Sequence, residues 1–587
     1  MHKKSFEGLT GAMRYCLWPE RNNHSAFESA LLQVLRDYFS WHEAQRHHKE
    51  SDHPVDTGML DRFHVLLSTL SGRLKSDSIP WPAPGYLAHM NSDIPLPASL
   101  AYFAAQLYNP NNVTPEASPV TTELEYELSD DFCRLFGMDT RKGWAHLTSG
   151  GHAANYEAIW VARNLKYLPL ALAARSDAPA QLKTMAPGTL INLAPARIIR
   201  IVEDVTSDGM LNALLAQADT LRKRSGTPGR LYVAEGRHYS WDKCADLLNI
   251  ELHTVPLDSA FRLDVAYLRD RLFDDLRHGR PIVAVVATAG STGEGSVDDI
   301  NAILKLKQEC QRRFNGSFFL HVDAAYGGYY RSLLVSPDGN ESKNASSESC
   351  LLKDDVATSL HKLSAVDTIT VDPHKCGYVP YPAGCLVISD RRYSQAVARK
   401  SKYFNPSQEG LMDFGTHTLE GARPGAAVAA VWMMHRLLGL HKNGYGALLS
   451  ENLWAARKLE EAIENAPVFC AYGAQYRFRS LFSPDLGIIN FAALPRNGIV
   501  DASIINALTR RLIQRPPPEH TARGEPWISS NQVAFHRLAS GQSDFSGSVS
   551  VVRCCLMTPL PVNHQSDFWR TLLLRLQQRI LNFHSQD

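Results

Sequence analysis

The sequence predicts an α/β protein whose central sheet is mostly parallel and carries helices on both faces. Between residues 120 and 435, short runs rich in Val, Ile and Phe alternate with longer segments of helical periodicity. Strands that lack polar alternation are typical of a parallel sheet, whose crossover helices bury both faces. Helical segments precede this region, and a smaller α/β pattern follows it.

The chain of 587 residues is too long for one ordinary hydrophobic core, so two or three domains are expected. We predict an N-terminal helical arm with a binding loop over residues 1–119. A large domain over 120–435 and a smaller C-terminal α/β domain over 436–587 complete the predicted organisation.

The charge of the chain is nearly balanced, since 61 Lys and Arg oppose 60 Asp and Glu, for a formal net charge of +1. This balance argues against nucleic acid or an anionic membrane as a partner, and favours small molecules. The ten cysteines have no regular spacing, and no apolar run has the length of a signal peptide or a membrane span. We expect a cytoplasmic enzyme with reduced thiols, and we identify no metal-binding motif.

The first 80 residues are predicted to form amphipathic helices. In Ala26–Phe39 the apolar residues recur at helical spacing, but the arm has too few of them for a core of its own. It is therefore expected to pack on something larger, such as a second subunit. Residues 80–119 form a loop rich in Pro, Asn and Gly, interrupted by the helix-like run Ala98–Leu107, and long irregular segments are often binding loops.

The central region alternates between predicted helices, at Thr121–Phe136, Ala153–Leu168 and Asp298–Phe314, and short apolar strands. The polar stretch Ser332–Asp367 interrupts the alternation, and we interpret it as a surface insertion between two central strands. The strand candidates are Arg197–Val202, Leu231–Ala234, Glu251–Val255, Pro281–Thr288, Ser317–Val322, Thr368–Val371 and Cys385–Ile388.

The C-terminal region contains enough elements for a smaller α/β domain. An alternating strand-like segment at Gly487–Leu494 is followed by a helix at Asp501–Arg515 and the breaker Pro516–Pro518. A strand at Ser548–Leu556 and an amphipathic helix at Asp567–Phe583 close the chain.

Polar residues follow several predicted strands, and each also has a purely structural interpretation. Thr148–Gly151 opens a helix, where hydroxyls, glycines and free N–H groups favour a phosphate, although Ser-Gly-Gly turns are common. Asp323 follows a buried strand and needs a backbone N–H or a cationic partner. A lone histidine such as His238 is more often a structural hydrogen-bond partner, and Thr288 fits a tight turn.

Lys375 lies in Thr368–Gly384, where an apolar strand ends at Asp372-Pro373. Ligands of open α/β sheets bind at the carboxyl ends of strands, and a lysine held there away from bulk water can lose its proton and act as a nucleophile. Most lysines beside a strand are solvated charges, so this residue alone proves little. A phosphate cradle, a carboxylate, a flat imidazole and an amine at the loop ends of one sheet are together the set that pyridoxal phosphate requires.

The chain resembles the group II pyridoxal-phosphate-dependent amino-acid decarboxylases in four segments. These are Ala117–Glu125, Thr288–Thr292 (TAGST), His321–Gly328 (HVDAAYGG) and Asp372–Lys375 (DPHK). Their joint occurrence in this order is highly specific, and the resemblance covers roughly residues 80–435. Within the family, the sequence segments LTSGGHAANYEAIWVARNLK and VDPHKCGYVPYPAG are most similar to bacterial tyrosine decarboxylases.

The resemblance implies the type I fold of pyridoxal-phosphate enzymes, pyridoxal phosphate as cofactor, and decarboxylation of an L-amino acid. Lys375 would bind the cofactor covalently and Asp323 would pair with its ring nitrogen. His238 and Ala325 would lie on the two faces of the ring, and Thr288 close to the cofactor. The positions that match the family near the phosphate are Ser149, Gly150, Thr368 and His374.

The substrate is expected to contact Leu87–Ser92, which matches the family's substrate loop and in which His89 and Ser92 offer polar contacts. The resemblance favours an aromatic amino acid such as tyrosine. An acidic substrate such as glutamate or aspartate remains the alternative, because Arg237 or Arg553 could supply the arginine that it needs.

Tyr403 falls where the family has a mobile loop whose tyrosine assists protonation of the product. Relatives with Phe at this position can divert to oxidative deamination and yield an aldehyde, so this reaction is a second alternative. The role of Asp372 stays open, because many relatives have Asn at this position. Arg423 matches a family arginine whose role is structural as readily as catalytic.

Two interpretations from other classes remain. A non-catalytic scaffold is disfavoured by the intact His238, Asp323 and Lys375. A lyase for a phosphorylated lipid-like substrate would predict a membrane-anchoring segment, which the sequence lacks. Family members resemble each other in being dimers with active sites at the subunit boundary, so a homodimer is expected.

Overall fold

The computed structural model of the chain describes residues 16–45, 56–205, 210–226, 228–340, 351–399, 413–538, 547–557 and 566–582. Its largest feature is a seven-stranded sheet in the spatial order β1-β7-β6-β5-β4-β2-β3. The strands are β1 (Trp144–Thr148), β2 (Arg230–Ala234), β3 (Glu251–Val255), β4 (Ile282–Thr288), β5 (Phe319–Asp323), β6 (Thr368–Val371) and β7 (Gly384–Ile388).

The central sheet is mostly parallel. Strands β2 to β6 run in the same direction, whereas β7 lies antiparallel to both of its neighbours, β6 and β1. The predicted fold class, with a mostly parallel central sheet and covering helices, is therefore confirmed.

Helices surround this sheet and precede it in the chain. Short 3₁₀ helices occupy Gly328–Leu334, Lys362–Ala365 and Arg391–Ala396. The α-helices up to residue 464 are α1 (His24–Ala44), α2 (Thr57–Asp77), α3 (Leu96–Gln106), α4 (Pro119–Leu135), α5 (Gly151–Ala173), α6 (Ala180–Lys183), α7 (Pro187–Ile191), α8 (Pro195–Val205), α9 (Leu211–Arg224), α10 (Ser240–Leu248), α11 (Val265–Arg277), α12 (Ile300–Phe314), α13 (Asp354–His361), α14 (Phe414–His417), α15 (Gly425–Leu438) and α16 (Tyr445–Glu464).

Two hydrophobic clusters lie on the two faces of the central sheet. Along β4, Val285 and Ala287 belong to one cluster, whereas Ala284 and Val286 belong to the other, as expected for side chains that alternate in direction. Because both faces are covered, polar groups that follow these strands are concentrated at the carboxyl edge of the sheet.

Two predictions for the large domain are wrong, and one strand was not predicted. Residues 197–202, predicted as a strand, lie in α8, where Ile198, Ile199 and Val202 are buried at helical spacing behind Pro195 at the helix start. The predicted surface insertion Ser332–Asp367 instead contributes to the core where it is described, since Val356, Leu360 and Leu363 of that stretch are fully buried. The strand that the sequence did not predict is β1.

The C-terminal region forms a five-stranded antiparallel sheet in the order β11-β12-β10-β9-β8. The predicted strands at 487–494 and 548–556 correspond to β10 and β12, and both predicted helices are present. A 3₁₀ helix occupies Phe535–Arg537. The elements are β8 (Phe469–Ala471), β9 (Ala474–Ser480), β10 (Ile488–Pro495), α17 (Ala502–Leu512), α18 (Pro518–Ala522), β11 (Ser529–Ala534), β12 (Ser548–Cys555) and α19 (Ser566–Asn582).

The N-terminal helices α1 and α2 contain no buried residue. Helix α1 contacts α3, with Tyr38 and Trp41 against Tyr108, but large apolar side chains of both helices remain exposed. The described helices include none that is long and apolar enough to cross a membrane.

Candidate active site

A cavity of about 470 Å³, its open mouth included, lies at the carboxyl edge of the central sheet. The ends of β4 and β5 stand side by side there, because Thr288 is in register with Asp323. Five residues that the resemblance places at the cofactor line this cavity, and they come from four different connections of the sheet. They are His238, Thr288, Asp323, Ala325 and Lys375.

Lys375 lies in the turn that follows β6, and its side chain is 21% exposed. Its Nζ is 3.0 Å from Oδ2 of Asp372. Burial alone would lower the pKa of this ammonium, but the carboxylates of Asp372 and Asp323 outweigh burial and raise the pKa. In the cofactor-free protein these two carboxylates therefore favour the ammonium form of Lys375, and burial alone does not make it a free amine.

Asp323 ends β5 and is oriented by a directed chain of hydrogen bonds. The amide nitrogen of Asn155 donates to Oδ2 of Asp323 at 2.9 Å, and the backbone N–H of Ala325 donates to Oδ1 at 3.2 Å. The Asn155 oxygen accepts from Nε2 of His321 at 3.1 Å. Burial lowers the pKa of His321 to about 4, so its ring is neutral and carries the hydrogen on Nε2.

Thr368 was expected near the phosphate, but the structure does not bring it to the cavity. It is fully buried at the start of β6, three residues before the strand ends at Val371 near the cavity. Its hydroxyl is 2.9 Å from Nδ1 of His321, and it donates because Nε2 carries the histidine's hydrogen. Thr368 therefore supports the chain that ends at Asp323.

His238 lies between β2 and α10 beside the cavity. Its Nδ1 accepts from the backbone N–H of Ser240 at 3.3 Å and lies 2.9 Å from the Ser240 hydroxyl. Burial lowers the pKa of His238, and the nearby Lys375 adds to this effect although Asp323 opposes it. The side chain is accordingly a neutral ring that carries its hydrogen on Nε2.

His152 and Asn155 also line the cavity, and the sequence analysis did not single out either of them. The ring of His152 stacks on Tyr156 at 5.0 Å and meets His238 edge-on at 6.3 Å. His152 and Asn155 lie three positions apart in the first turns of α5, so they share one face of the helix. This spacing, on a helix that follows a glycine-rich turn, is the sequence signal that could have identified them.

The N-terminus of α5 borders the cavity through Gly151. A side chain at Gly151 would meet both carboxylate oxygens of Asp372 at 2.8 Å, so only glycine allows this approach. Gly150 lies next to His374, whereas Ser149 is exposed and donates its backbone N–H to Oε2 of Glu420 at 3.0 Å. The predicted phosphate cradle thus stands beside the cavity, with its glycines closest to it.

His374 is buried directly behind this helix end. Its Nδ1 donates to the backbone oxygen of Ala383 at 2.6 Å, and its Nε2 is 3.4 Å from Oδ2 of Asp372. The ring packs on Tyr381 at 4.0 Å. Burial lowers the pKa of His374, although Asp372 opposes this shift.

The predicted substrate loop, Leu87–Ser92, is attached to the small domain. The backbone oxygen of Ala88 accepts from the Arg553 guanidinium and from the Ser529 hydroxyl, and Leu87 exchanges backbone hydrogen bonds with Trp527 and Cys555. On its other side, the Tyr381 hydroxyl donates to Oδ1 of Asn91 at 3.0 Å.

The two residues proposed for substrate contact differ in exposure. His89 is exposed and Ser92 is buried, and neither lines the cavity around Lys375. Partial desolvation of its ring by the surrounding protein and the neighbouring Arg553 lower the pKa of His89. Tyr403, predicted in the mobile loop, lies outside the described residues.

Arg423 is 4% exposed and binds structural partners away from the cavity. Its guanidinium donates to both oxygens of the buried Glu125 and to the backbone oxygens of Asn112 and Leu147. Glu125 in turn accepts from the backbone N–H of Leu147. These contacts favour the structural alternative for Arg423.

Comparison with known proteins places this arrangement in a family. The model of the pyridoxal-dependent decarboxylase conserved domain matches residues 215–472. The chain is 32% identical over 559 residues to the L-tyrosine decarboxylase of Levilactobacillus brevis, covering 89% of this chain and 87% of that protein. It is 32% identical over 536 residues to the L-tyrosine decarboxylase of Enterococcus faecium, covering 87% and 86% of the two chains.

Solved structures share the fold. The crystal structure of Oryza sativa TDC with PLP and tryptamine matches with a TM-score of 0.59 at 17% identity, over 96% of this chain and 99% of that one. The protein thus has the type I fold of pyridoxal-phosphate enzymes. The chain belongs to the group II pyridoxal-phosphate-dependent decarboxylases and is an amino-acid decarboxylase, a carboxy-lyase with pyridoxal phosphate as its cofactor.

The residues around the cavity fit this cofactor. An amine, that of Lys375, and a carboxylate, that of Asp323, face one space at the carboxyl edge of the sheet. Helix α5 begins at Gly151 on the border of the cavity, and the positive end of its dipole suits a phosphate.

Proposed function

We propose that the enzyme decarboxylates an aromatic L-amino acid, with tyrosine as the favoured substrate. The similarity to two tyrosine decarboxylases over nearly the whole chain supports this choice. The observation that carries the proposal is the hydrogen bond from Tyr381 to Asn91, which holds the substrate loop beside the turn of Lys375. A site that binds a phenol hydroxyl strongly rejects the analogue that lacks it, so the comparison of tyrosine with phenylalanine tests this proposal.

We propose that Lys375 binds the cofactor covalently and that Asp323 pairs with its ring nitrogen. His238 and Ala325 then lie on the two faces of the ring, with Thr288 beside it, which is supported by their common cavity. For the phosphate, the position beside α5 supports Gly150 and His374. Ser149 would contribute through its hydroxyl, because its backbone N–H is donated to Glu420. The buried position of Thr368 supports an indirect role through His321.

When bound, pyridoxal phosphate supplies an electron sink for the electrons of the broken C–C bond. Asp323 holds the proton on the ring nitrogen, and the hydrogen bonds from Asn155 and Ala325 keep its carboxylate in place. His238 presents a flat, neutral ring and so adds no positive charge beside the cofactor. Tyr403 is proposed to deliver the proton to the product carbon.

Decarboxylation followed by oxidative deamination is the alternative reaction on the same fold, and it would yield an aldehyde, ammonia and peroxide. Tyr403 favours simple decarboxylation, because the resemblance associates Phe at this position with the oxidative reaction. We expect amine as the main product. Ammonia and peroxide in amounts equal to the carbon dioxide released would refute this expectation.

An acidic substrate is the second candidate, and one observation favours it. Arg553 is 7% exposed, lies beside the substrate loop, and its Nε has no hydrogen-bond partner among the described residues. Arg237 is less suitable, since it pairs with Asp242 through two hydrogen bonds. Arg553 could therefore bind a carboxylate, of the side chain or of the α-carbon.

The substrate is tested by measuring amine release, with mass detection of the products, for tyrosine, phenylalanine, dopa, tryptophan, glutamate and aspartate. The proposal expects tyrosine or dopa to have the highest kcat/KM. A preference for glutamate or aspartate that is lost in Arg553→Met but kept in Arg237→Met would establish the acidic alternative instead.

The absorbance of the purified protein distinguishes an enzyme from a non-catalytic scaffold. The enzyme carries the visible band of the lysine-bound cofactor, and Lys375→Ala removes this band. If the spectrum were the same in the variant, Lys375 would not be the cofactor lysine.

The exposed apolar residues of α1 and α2 support a homodimer, since these helices bury none of their own side chains within one chain. We further propose that the protein acts in the cytoplasm, in keeping with the free thiols of the described cysteines. The division into domains at residues 119 and 435 remains a prediction.

A further inference from the structure

The carboxylate of Asp372 occupies an unusual position for a negative charge. It is 2% exposed, and both of its oxygens lie 2.8 Å from the point where a side chain at Gly151 would begin. The group therefore touches the helix end at which we propose that the cofactor's phosphate binds. Its Oδ1 has no hydrogen-bond partner among the described residues.

His374 makes this arrangement dependent on a proton. Its Nδ1 hydrogen is donated to Ala383, so a neutral ring turns the lone pair of Nε2 toward Oδ2 of Asp372, 3.4 Å away. Two acceptors that face each other repel. One added proton between them converts this contact into a charge-assisted hydrogen bond.

In the cofactor-free protein, the cation that contacts Asp372 within the described chain is Lys375, at 3.0 Å. A phosphate brings up to two further negative charges to the same helix end, where the helix dipole supplies only about half a positive charge. Like charges so close together in a buried site favour protonation of one of the groups. The other titratable groups that influence this cluster are Asp323, His238, Tyr381, Cys376 and Cys385.

We propose that binding of the cofactor's phosphate is coupled to uptake of one proton by the Asp372–His374 pair. This inference rests on the proposed phosphate site at α5 and is independent of which amino acid is the substrate. It gives Asp372 a function as a positioning residue, because the added proton removes one negative charge from the helix end at which the phosphate binds. Cofactor affinity should then fall as pH rises, by up to about tenfold per pH unit.

The test measures proton uptake directly, without catalysis. Pyridoxine 5′-phosphate, which has the phosphate but no aldehyde to react with Lys375, is titrated calorimetrically into the full-length, cofactor-free protein. Titrations at pH 8 in buffers of different ionisation enthalpy give the number of protons bound, and pyridoxine without phosphate is the reference ligand. We expect about one proton per phosphorylated ligand and none for pyridoxine.

Three variants complete the experiment. Asp372→Asn should abolish the uptake and flatten the dependence of affinity on pH, whereas Glu420→Gln, which changes the carboxylate bound to Ser149 on the same helix end, should retain it. Gly151→Ala tests the phosphate site itself, since its side chain would meet Asp372 and should weaken the phosphorylated ligand alone.

Several results would overturn the proposal. These are the absence of uptake in the unaltered protein, equal uptake in Asp372→Asn, or loss of uptake in Glu420→Gln. Phosphorus NMR of the bound ligand locates the proton, and a monoanion signal would place it on the phosphate rather than on the pair. If Gly151→Ala bound both ligands as the unaltered protein does, the phosphate site would be wrong, independently of the proton count.

Discussion

Among single residues, Asp323 depends on a chain of hydrogen bonds that leads from the cavity into the interior of the sheet. Thr368 donates to His321, His321 donates to Asn155, and Asn155 donates to Asp323, so every hydrogen bond points toward the carboxylate. Because His321 is neutral and buried, the direction of the chain is fixed. The position of Asp323 is thus determined by β6 and α5 as well as by its own strand.

Replacing Asn155 by Leu should weaken the cofactor's attachment. The variant removes a hydrogen bond to a buried carboxylate, which is worth about 1–3 kcal/mol, or roughly a tenfold to hundredfold loss of cofactor affinity. Titration of the cofactor-free protein with pyridoxal phosphate, followed by absorbance, measures this loss. Asn164→Leu is the matched control, since Asn164 lies on the same helix and bonds to Ala396 away from the cavity. An equal loss in both variants would contradict the specific role of Asn155.

Buried His321 should also make folding stability depend on pH. Its pKa is about 4 in the folded protein and 6.5 when unfolded, so between these values only the unfolded chain binds the proton. Stability therefore falls as pH decreases from 6.5 to 4, by on the order of 3 kcal/mol in total. Urea unfolding at pH 7, 6 and 5 should show a smaller loss of stability in His321→Gln than in the unaltered protein. A parallel decline in both would contradict this assignment.

Among the secondary-structure elements, the buried pair of Arg423 and Glu125 joins four parts of the chain. It links the start of α15 to α4, to β1 through Leu147, and to the loop at Asn112. Strand β1 leads directly into α5. The Arg423–Glu125 pair therefore helps to position the N-terminus of α5, which borders the cavity.

Arg423→Met should destabilise the fold by roughly 3–5 kcal/mol, because it leaves Glu125 as a buried charge without its cation. The double variant Arg423→Met/Glu125→Gln should recover part of this loss, since no uncompensated charge remains. Chemical unfolding of the two single variants and the double variant measures the coupling. Additive losses would show that the two side chains do not act as a pair.

The elements near the cavity could largely be predicted from sequence because their signals are local. An apolar strand followed by Asp323 or by Asp372-Pro373 marks a strand end, and the structure places both at one edge. Residues 197–202 were wrongly predicted as a strand, because a short apolar segment fits a strand or a buried helix equally well. Asn155 could not be found in this way, since its importance arises from His321 and Asp323, which lie more than 160 residues away.

The molecule as a whole presents an apolar surface that one chain does not cover. Along α2, side chains spaced by three or four residues are each about half exposed or more, which describes a stripe along one face of the helix. The stripe consists of Met59, Phe63, Leu66, Leu70 and Leu74.

If this stripe is a subunit interface, charged replacements should separate the subunits. Light scattering should give twice the chain mass of 65.3 kDa for the unaltered protein and a lower mass for Phe63→Glu/Leu70→Glu. Ile499→Glu, an equally apolar and exposed position in the small domain, serves as the control and should remain dimeric. A monomeric unaltered protein that retains activity would contradict the homodimer.

Within the described parts of the chain, the predicted substrate loop is hydrogen bonded to the C-terminal region through Leu87 and Ala88, and to the turn after Lys375 through the hydroxyl of Tyr381. Mutations in β11 and β12 can therefore displace this loop without altering the turn that holds the lysine. If this loop determines the substrate, such mutations should change substrate preference while the chemistry at Lys375 is preserved. Directed evolution of this enzyme should accordingly draw its libraries from the small domain.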